Sequence, residues 1–232
     1  MQNKKIIIHH HLGMGDHICL SGLIRHLYEN YDHIILLTKA NNRNNVEYLF
    51  RDLIRIQVED IGLPRDVWEE LKLAQIVCQN YPDYEYIKIG FESHQVLSEA
   101  HPDKVCDELF YMQMNVPYEY RFSKFYFKRD LAKENDSFDL VNPNNEDYIF
   151  IHDNPEIGVV IDVETSFKII KNDIRVPLLH FGKILENAKE VHLMESSIRC
   201  LIEDPRLNLQ GKLFYHTSRG GYIANNNTTK LT

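Results

Sequence analysis

The amino-acid sequence predicts an α/β protein made of two halves, each with a parallel sheet, that face a common cleft. Within the first 38 residues a strand, a tight turn, a helix and a second strand follow one another. Such a βαβ unit requires a right-handed crossover between parallel strands. A polar stretch at residues 133–147 has the composition of a linker, and strands and helices alternate again after it. We therefore expect a Rossmann-like domain at residues 1–145 and a smaller one at residues 146–232.

The first half begins with the clearest elements. Residues 4–10 are predicted to be a buried strand because they form a short apolar run rich in isoleucine. The glycine-containing residues 12–17 are expected to form a turn. The apolar spacing of residues 18–31 predicts the first helix, and residues 33–38 have the composition of the second strand.

The rest of the chain continues this alternation, which favours parallel sheets covered by helices on both faces. The other predicted elements of the first half are helices at residues 46–53, 66–78 and 96–114, strands at 54–58 and 84–89, and a strand or rim segment at 118–127. Those of the second half are strands at residues 148–152, 158–163, 191–194 and 212–216 and helices at 178–188 and 196–202.

Charge and cysteine content limit the classes of partner. The chain has 26 Lys and Arg against 34 Asp and Glu, a formal charge of −8, whereas nucleic acids and anionic membranes need a net basic face. We expect no nucleic-acid partner. No window approaches the roughly 18 apolar residues of a spanning helix, so no integral membrane segment is expected. The four cysteines form no C-x-x-C pair, which favours reduced thiols and a cytoplasmic location.

The turn after the first strand is the first candidate for ligand binding, because ligands of open parallel sheets approach the carboxyl ends of the strands. A dinucleotide site would need G-x-G-x-x-G and an acid after the second strand, but the third glycine position is Ile18 and the strand ends in Thr38 and Lys39. A P-loop would need a lysine after its last glycine, and none follows Gly15. Both interpretations are disfavoured.

The segment from His10 to Ile18, followed by Ser21 to Ile24, resembles the opening of heptosyltransferase-type (family 9-type) glycosyltransferases of the GT-B fold. The resemblance covers the first 40 residues or so and implies that Asp16 is the general base for an acceptor hydroxyl. A carboxylate near a helix N-terminus stays ionised, which is compatible with that role. The alternative is that Asp16 only caps the first helix.

The segment from Leu178 to Ser197 resembles the donor half of the same fold class. The resemblance implies that a small-residue turn holds the donor diphosphate; a capping serine without a ligand is the alternative. Arg175 would neutralise phosphate, or would be a solvated loop charge. The residues assigned to donor or phosphate binding are Gly13, Gly15, Arg175, Glu195, Ser196 and Ser197. Secondary candidates at the cleft are His11, His17, Lys39, His152 and Asp153.

No metal site is expected. The chain has no D-x-D motif of the kind that holds Mg²⁺ or Mn²⁺ against a donor diphosphate. His9 and His11 share one strand face, but structural or acceptor-contacting roles are favoured over metal binding. The sequence thus predicts a metal-independent glycosyltransferase whose substrates are a nucleotide-diphosphate sugar and a glycan or other hydroxyl acceptor, with no cofactor. The alternatives are a non-catalytic nucleotide- or sugar-binding module and a sugar-nucleotide epimerase.

Overall fold

The computed structural model describes residues 4–216 and 229–231 and divides the chain into two compact units, Met1–Lys128 and Arg129–Thr232. The units therefore part between residues 128 and 129, whereas the sequence predicts a boundary between 145 and 146. The physical reason is that the polar stretch predicted as a linker is largely helical, over Leu131–Val141. This helix packs within the second unit, so the change of unit comes before it.

The first unit is built on a four-stranded, all-parallel sheet with strand order β3-β2-β1-β4. Its two central strands are buried on both faces, which explains why they are continuous apolar runs. The predicted strands match the observed ones within about two residues. Their bounds are β1 Lys5–His10, β2 His33–Thr38, β3 Ile56–Asp60 and β4 Glu85–Ile89.

Several helices of the first unit differ from their predicted bounds: the helix predicted at 46–53 is observed at Arg43–Leu49, and the one predicted at 18–31 is interrupted at Leu20. The first helix starts at Met14 rather than at residue 18. The helix predicted at 96–114 is two helices, because Pro102 interrupts it. Residues 118–127 contain a short helix and no strand. The helices are α1 Met14–Cys19, α2 Ser21–Tyr28, α3 Arg43–Leu49, α4 Val67–Cys78, α5 Phe91–Ala100, α6 Cys106–Gln113 and α7 Tyr120–Ser123.

The second unit contains a five-stranded parallel sheet with order β6-β5-β7-β8-β9. The strand predicted at residues 158–163 is wrong: that segment makes one isolated bridge, between Asn154 and Val159, and the strand beside β5 is formed by a later segment. The strands are β5 Tyr148–His152, β6 Lys168–Lys171, β7 Glu190–Leu193, β8 Lys212–His216 and β9 Thr229–Leu231. The helices are α8 Leu131–Val141, α9 Gly182–Asn187 and α10 Ser197–Ile202.

A buried charge cluster joins α8 to α9. Arg129 Nε lies 2.8 Å from Glu134 Oε1, and its Nη1 lies 2.7 Å from Glu186 Oε1. Glu134 is 0% exposed and also accepts the backbone N–H of Lys183 at 3.0 Å. Because the Glu134 carboxylate is buried, its ion-pair and hydrogen-bond partners are needed to keep α8 in place.

Among the described residues, no helix is both long enough and apolar enough to span a membrane.

Candidate active site

The strand order of the first unit identifies one crevice. Within the sheet, β2 lies next to β1 on one side, and β4 lies next to β1 on the other side. Ligands of open α/β sheets bind where the order reverses in this way, outside the carboxyl ends of the strands. The residues that follow β1 and β4 are therefore the ones to consider, and they include His11, Asp16 and Phe91.

Asp16 lies in the first turn of α1, at this carboxyl edge. The helix is capped by Gly13, which has extended backbone and no side chain to cap with. The Asp16 carboxylate instead accepts the backbone N–H of Gly13. A Cβ atom on Gly13 would lie 2.6 Å from Asp16 Oδ2, so a larger residue at position 13 would displace the Asp16 carboxylate. Asp16 therefore supports the helix start from the first turn and is not its N-cap residue.

The surroundings of Asp16 make it a weaker acid than usual. The pKa of Asp16 is raised to about 6, mainly by burial and to a smaller extent by the Asp107 carboxylate, against the opposite effects of the Gly13 N–H and the Lys39 ammonium. A carboxylate with a pKa near 6 is mostly ionised at pH 7 and still has appreciable affinity for a proton. These are the properties of a general base.

Lys39 follows β2 and is held by a group of residues that includes Glu70 and Tyr86, neither of which was predicted to belong to the site. Its Nζ lies 3.5 Å from Glu70 Oε2, and Glu70 Oε1 lies 3.3 Å from His9 Nε2. The other nitrogen of His9 lies 2.7 Å from the hydroxyl of Tyr86. Glu70 lies on the same face of α4 as the buried Ala74. An acidic residue on the buried face of a helix is the sequence feature that could have identified Glu70. These contacts hold the Lys39 ammonium, which is near enough to Asp16 to lower the pKa of its carboxyl.

His17 does not reach the surface. It is 0% exposed, its ring centroid lies 4.3 Å from that of His10, and its Nε2 lies 3.1 Å from Thr38 Oγ1. Burial lowers the pKa of both histidines, to about 3 for His10. Both are therefore neutral packing residues under the first turn, and His17 is not available to a ligand.

His11 is held in one orientation at the crevice. Its Nε2 accepts the backbone N–H of Phe91 at 3.3 Å, and its ring packs edge-on against Phe91 and Phe110. Phe91 has a φ of 55°, which is unusual for a bulky residue, and Gly90 before it has a φ of 96°. Strained backbone of this kind persists where the surrounding structure enforces it, often at functional sites.

We expect Gly90→Ala to destabilise the protein by about 2 kcal/mol or more, because the backbone there is open only to glycine and a Cβ would lie 2.8 Å from His11 Nε2. Gly62→Ala is the matched control: it also has positive φ, 77°, but a Cβ there meets nothing within 4 Å. The check is the urea midpoint of both variants. Equal losses of stability in the two variants would show that a clash with His11 does not add to the cost at position 90.

The second unit has its own reversal of strand order, between β5 and β7. His152 ends β5, and its Nδ1 lies 2.8 Å from the hydroxyl of Ser196, which follows β7. Ser196 is the N-cap of α10 and accepts the backbone N–H of Arg199 at 3.4 Å. Glu195 and Ser197 flank it and are half-buried. The structure thus brings His152 and the predicted donor turn together at one edge.

Two other predicted residues of the second unit are engaged elsewhere. Asp153 is buried and accepts from Lys171 Nζ at 2.7 Å and from the N–H of Ile161 at 3.2 Å. Arg175 is exposed and forms a fork with Asp173, with Nη2 2.6 Å from Oδ2. This guanidinium lowers the pKa of Asp173 to about 2. The charge of Arg175 is therefore already neutralised.

No group of three or more His, Cys, Asp or Glu side chains in the described part of the chain is arranged to hold a metal ion.

Comparison with known proteins gives similarity in structure only. No protein-family model matches the chain, and no curated protein does. The glycosyl transferase family 9 structure from Veillonella parvula superposes with a TM-score of 0.51 and 7% identity, over 93% of this chain and 81% of that one. That likeness confirms the predicted fold class: an α/β protein with the fold of this glycosyltransferase.

Two Escherichia coli structures are also similar. The ADP-heptose LPS heptosyltransferase II gives a TM-score of 0.47 and 9% identity, over 91% of this chain and 84% of that one. The heptosyltransferase WaaC with ADP-2-deoxy-2-fluoro heptose gives 0.43 and 10%, over 98% and 92%.

Proposed function

From this fold, and from the residues at the carboxyl edges of the two sheets, we propose that the protein is a glycosyltransferase. It moves a sugar from a nucleotide-diphosphate sugar to an acceptor hydroxyl, with Asp16 as general base and without a metal ion. The observation that carries the proposal is Asp16 itself, which lies at the reversal point of the first sheet with a pKa raised to about 6. The similar Veillonella parvula protein is described as a glycosyl transferase, which supports the same reaction class.

The reaction assigned to Asp16 is a single proton transfer coupled to substitution. The acceptor hydroxyl gives its proton to the Asp16 carboxylate as its oxygen forms a bond to the anomeric carbon. The bond from that carbon to the phosphate oxygen breaks, and the nucleoside diphosphate leaves with the electron pair. The Lys39 ammonium lowers the pKa of Asp16 and so favours the ionised carboxylate that accepts the proton.

The donor is assigned to the second unit, at the turn that contains Ser196. Metal-independent transfer requires that hydrogen-bond donors stabilise the departing diphosphate. Such donors are assigned to the turn that contains Ser196, which lies at the reversal point of the second sheet. The absence of a D-x-D motif from the sequence is consistent with this arrangement.

One observation favours a second candidate, a non-catalytic nucleotide- or sugar-binding module. Lys171 and Arg175, two cations of the second unit, are each paired with an aspartate. A site that only binds has less need of free positive charge than one that stabilises a leaving group.

A thermal-shift screen tests the proposal for the donor site. The probes are UDP, GDP, ADP, CMP and TDP, each with EDTA or with Mg²⁺. We expect one diphosphate to raise the melting temperature by several degrees, since a ligand at 100 times its Kd stabilises by about 2.7 kcal/mol. The shift should be the same in EDTA. If none of the probes moves the melting temperature, the donor-site assignment is wrong.

A further inference from the structure

The contact between His152 and Ser196 joins the ends of two neighbouring strands. His152 is the last residue of β5 and Ser196 follows β7, which pairs with β5 in parallel. The 2.8 Å distance between Nδ1 and Oγ is that of a good hydrogen bond. It fixes the imidazole ring where the strand order of the second sheet reverses.

The bonding of Ser196 favours one of the two tautomers of the His152 ring. Its hydroxyl oxygen accepts the backbone N–H of Arg199, as an N-cap does, and it has one proton to give. Among the described residues, His152 Nδ1 is the acceptor within reach of that proton, so the contact is assigned as the Ser196 O–H donating to Nδ1. Burial lowers the pKa of His152, so the ring is neutral at pH 7 and its single proton is on Nε2.

The Nε2–H group has no hydrogen-bond partner among the described residues. The neighbouring carboxylate does not take it, because Asp153 is turned toward Lys171 and the N–H of Ile161. The half-buried ring therefore presents one oriented donor at the carboxyl edge of the sheet. A donor fixed in this way suits an anionic oxygen, since hydrogen bonds to charged acceptors are the stronger ones.

We propose that His152 binds a phosphate oxygen of the donor diphosphate through Nε2–H, and that Ser196 is the positioning residue that fixes its tautomer. The inference rests on the proposed function. It adds a residue with a defined role: His152 holds the diphosphate before transfer and stabilises its added charge as it leaves.

Two substitutions separate the roles of the ring nitrogens. Glutamine places an amide nitrogen near the position of Nε2, so His152→Gln should bind within about threefold of the wild type. Asparagine reaches only to the position of Nδ1, so His152→Asn should bind about 10- to 100-fold more weakly. The probes are inorganic pyrophosphate, UDP, GDP and ADP, measured by isothermal titration calorimetry in EDTA.

A spectroscopic readout tests the tautomer apart from binding. In a ¹⁵N-labelled wild-type protein at pH 7, the His152 ring should show a protonated Nε2 and an unprotonated Nδ1, and Ser196→Ala should remove that preference. Thermal melts of the variants check that each is folded. A ring protonated on Nδ1 would overturn the inference whatever the affinities are.

The binding results distinguish a wrong role for His152 from a wrong proposed function. If a probe binds equally to the wild type and to both His152 variants, His152 does not contact the diphosphate, while the proposed function stands. If none of the probes binds the wild type, the proposed function fails together with the inference.

Discussion

Replacing Asp16 with asparagine should slow sugar transfer by about 10²- to 10⁴-fold, the usual contribution of a general base. Asparagine has nearly the same shape and its amide oxygen can still accept the Gly13 N–H, so the start of α1 should be kept. It cannot take a proton from the acceptor. The measurement is initial rate of nucleoside diphosphate release with acceptor present.

The matched control is Asp103→Asn, which removes an exposed carboxylate of the same unit and should leave the rate unchanged. Calorimetric affinity for the nucleoside diphosphate should be unaltered in both variants, because Asp16 is assigned to the acceptor. Full turnover by a folded Asp16→Asn protein would remove Asp16 from the mechanism.

The raised pKa of Asp16 also fixes the direction of two pH effects. Transfer requires the ionised carboxylate, so kcat/KM should fall as the pH drops through about 6. The effect on stability has the opposite sign. Burial disfavours the ionised form of Asp16 in the folded protein, so the free energy of unfolding decreases as the pH rises from about 4 through 6. Asp16→Asn should therefore be more stable than the wild type at pH 8, and this advantage should shrink toward pH 4.

The largest loss of stability is expected from Arg129→Met. Removing the guanidinium leaves the fully buried Glu134 without its charge partner. Breaking a buried ion pair from one side costs about 3–5 kcal/mol, which lowers the melting temperature by roughly 10 °C in a chain of this size. Differential scanning calorimetry measures it.

Two comparisons identify the cause of this loss. Adding Glu134→Gln to Arg129→Met should recover part of the stability, because a neutral amide can still accept the Lys183 N–H and carries no unpaired charge. Lys189→Met breaks a surface pair with Asp147, whose atoms lie 3.1 Å apart, and should cost at most about 1 kcal/mol. Equal effects of Arg129→Met and Lys189→Met would mean that the cluster does not hold α8.

The fold could be predicted where local signals agree with burial. The strands β1, β2, β5 and β8 are short apolar or aromatic runs with polar residues at their ends, and their predicted bounds agree with the structure within a residue. The strand predicted at 158–163 failed because its apolar residues pack over the sheet instead of joining it: Ile161 lies in the core with Ile149. The pattern of apolar residues indicates that a residue is buried, but it does not show whether the residue belongs to a strand of the sheet or to a segment packed over it.

The candidate site was predictable in part. The position of Asp16 follows from a glycine turn after a buried strand, and the structure places it at the reversal point of the first sheet. The contact of His152 with Ser196 spans 44 positions of the chain, and the engagement of Arg175 by Asp173 depends on loop geometry. The first contact is tertiary and the second is a local turn whose geometry residue spacing alone does not fix, so the sequence could not show that these polar residues are already hydrogen-bonded.

The most direct test of the central claim is consumption of a nucleotide-diphosphate sugar. The protein would be incubated in EDTA with UDP-, GDP-, ADP- and TDP-sugars and a mixture of glycans, and products followed by ³¹P NMR and mass spectrometry. We predict that one donor releases its nucleoside diphosphate, that an acceptor gains the mass of one sugar, and that Asp16→Asn slows both at least 100-fold. Binding of a nucleotide sugar with no sugar transferred, or isomerisation of the sugar on its intact nucleotide, would contradict the claim.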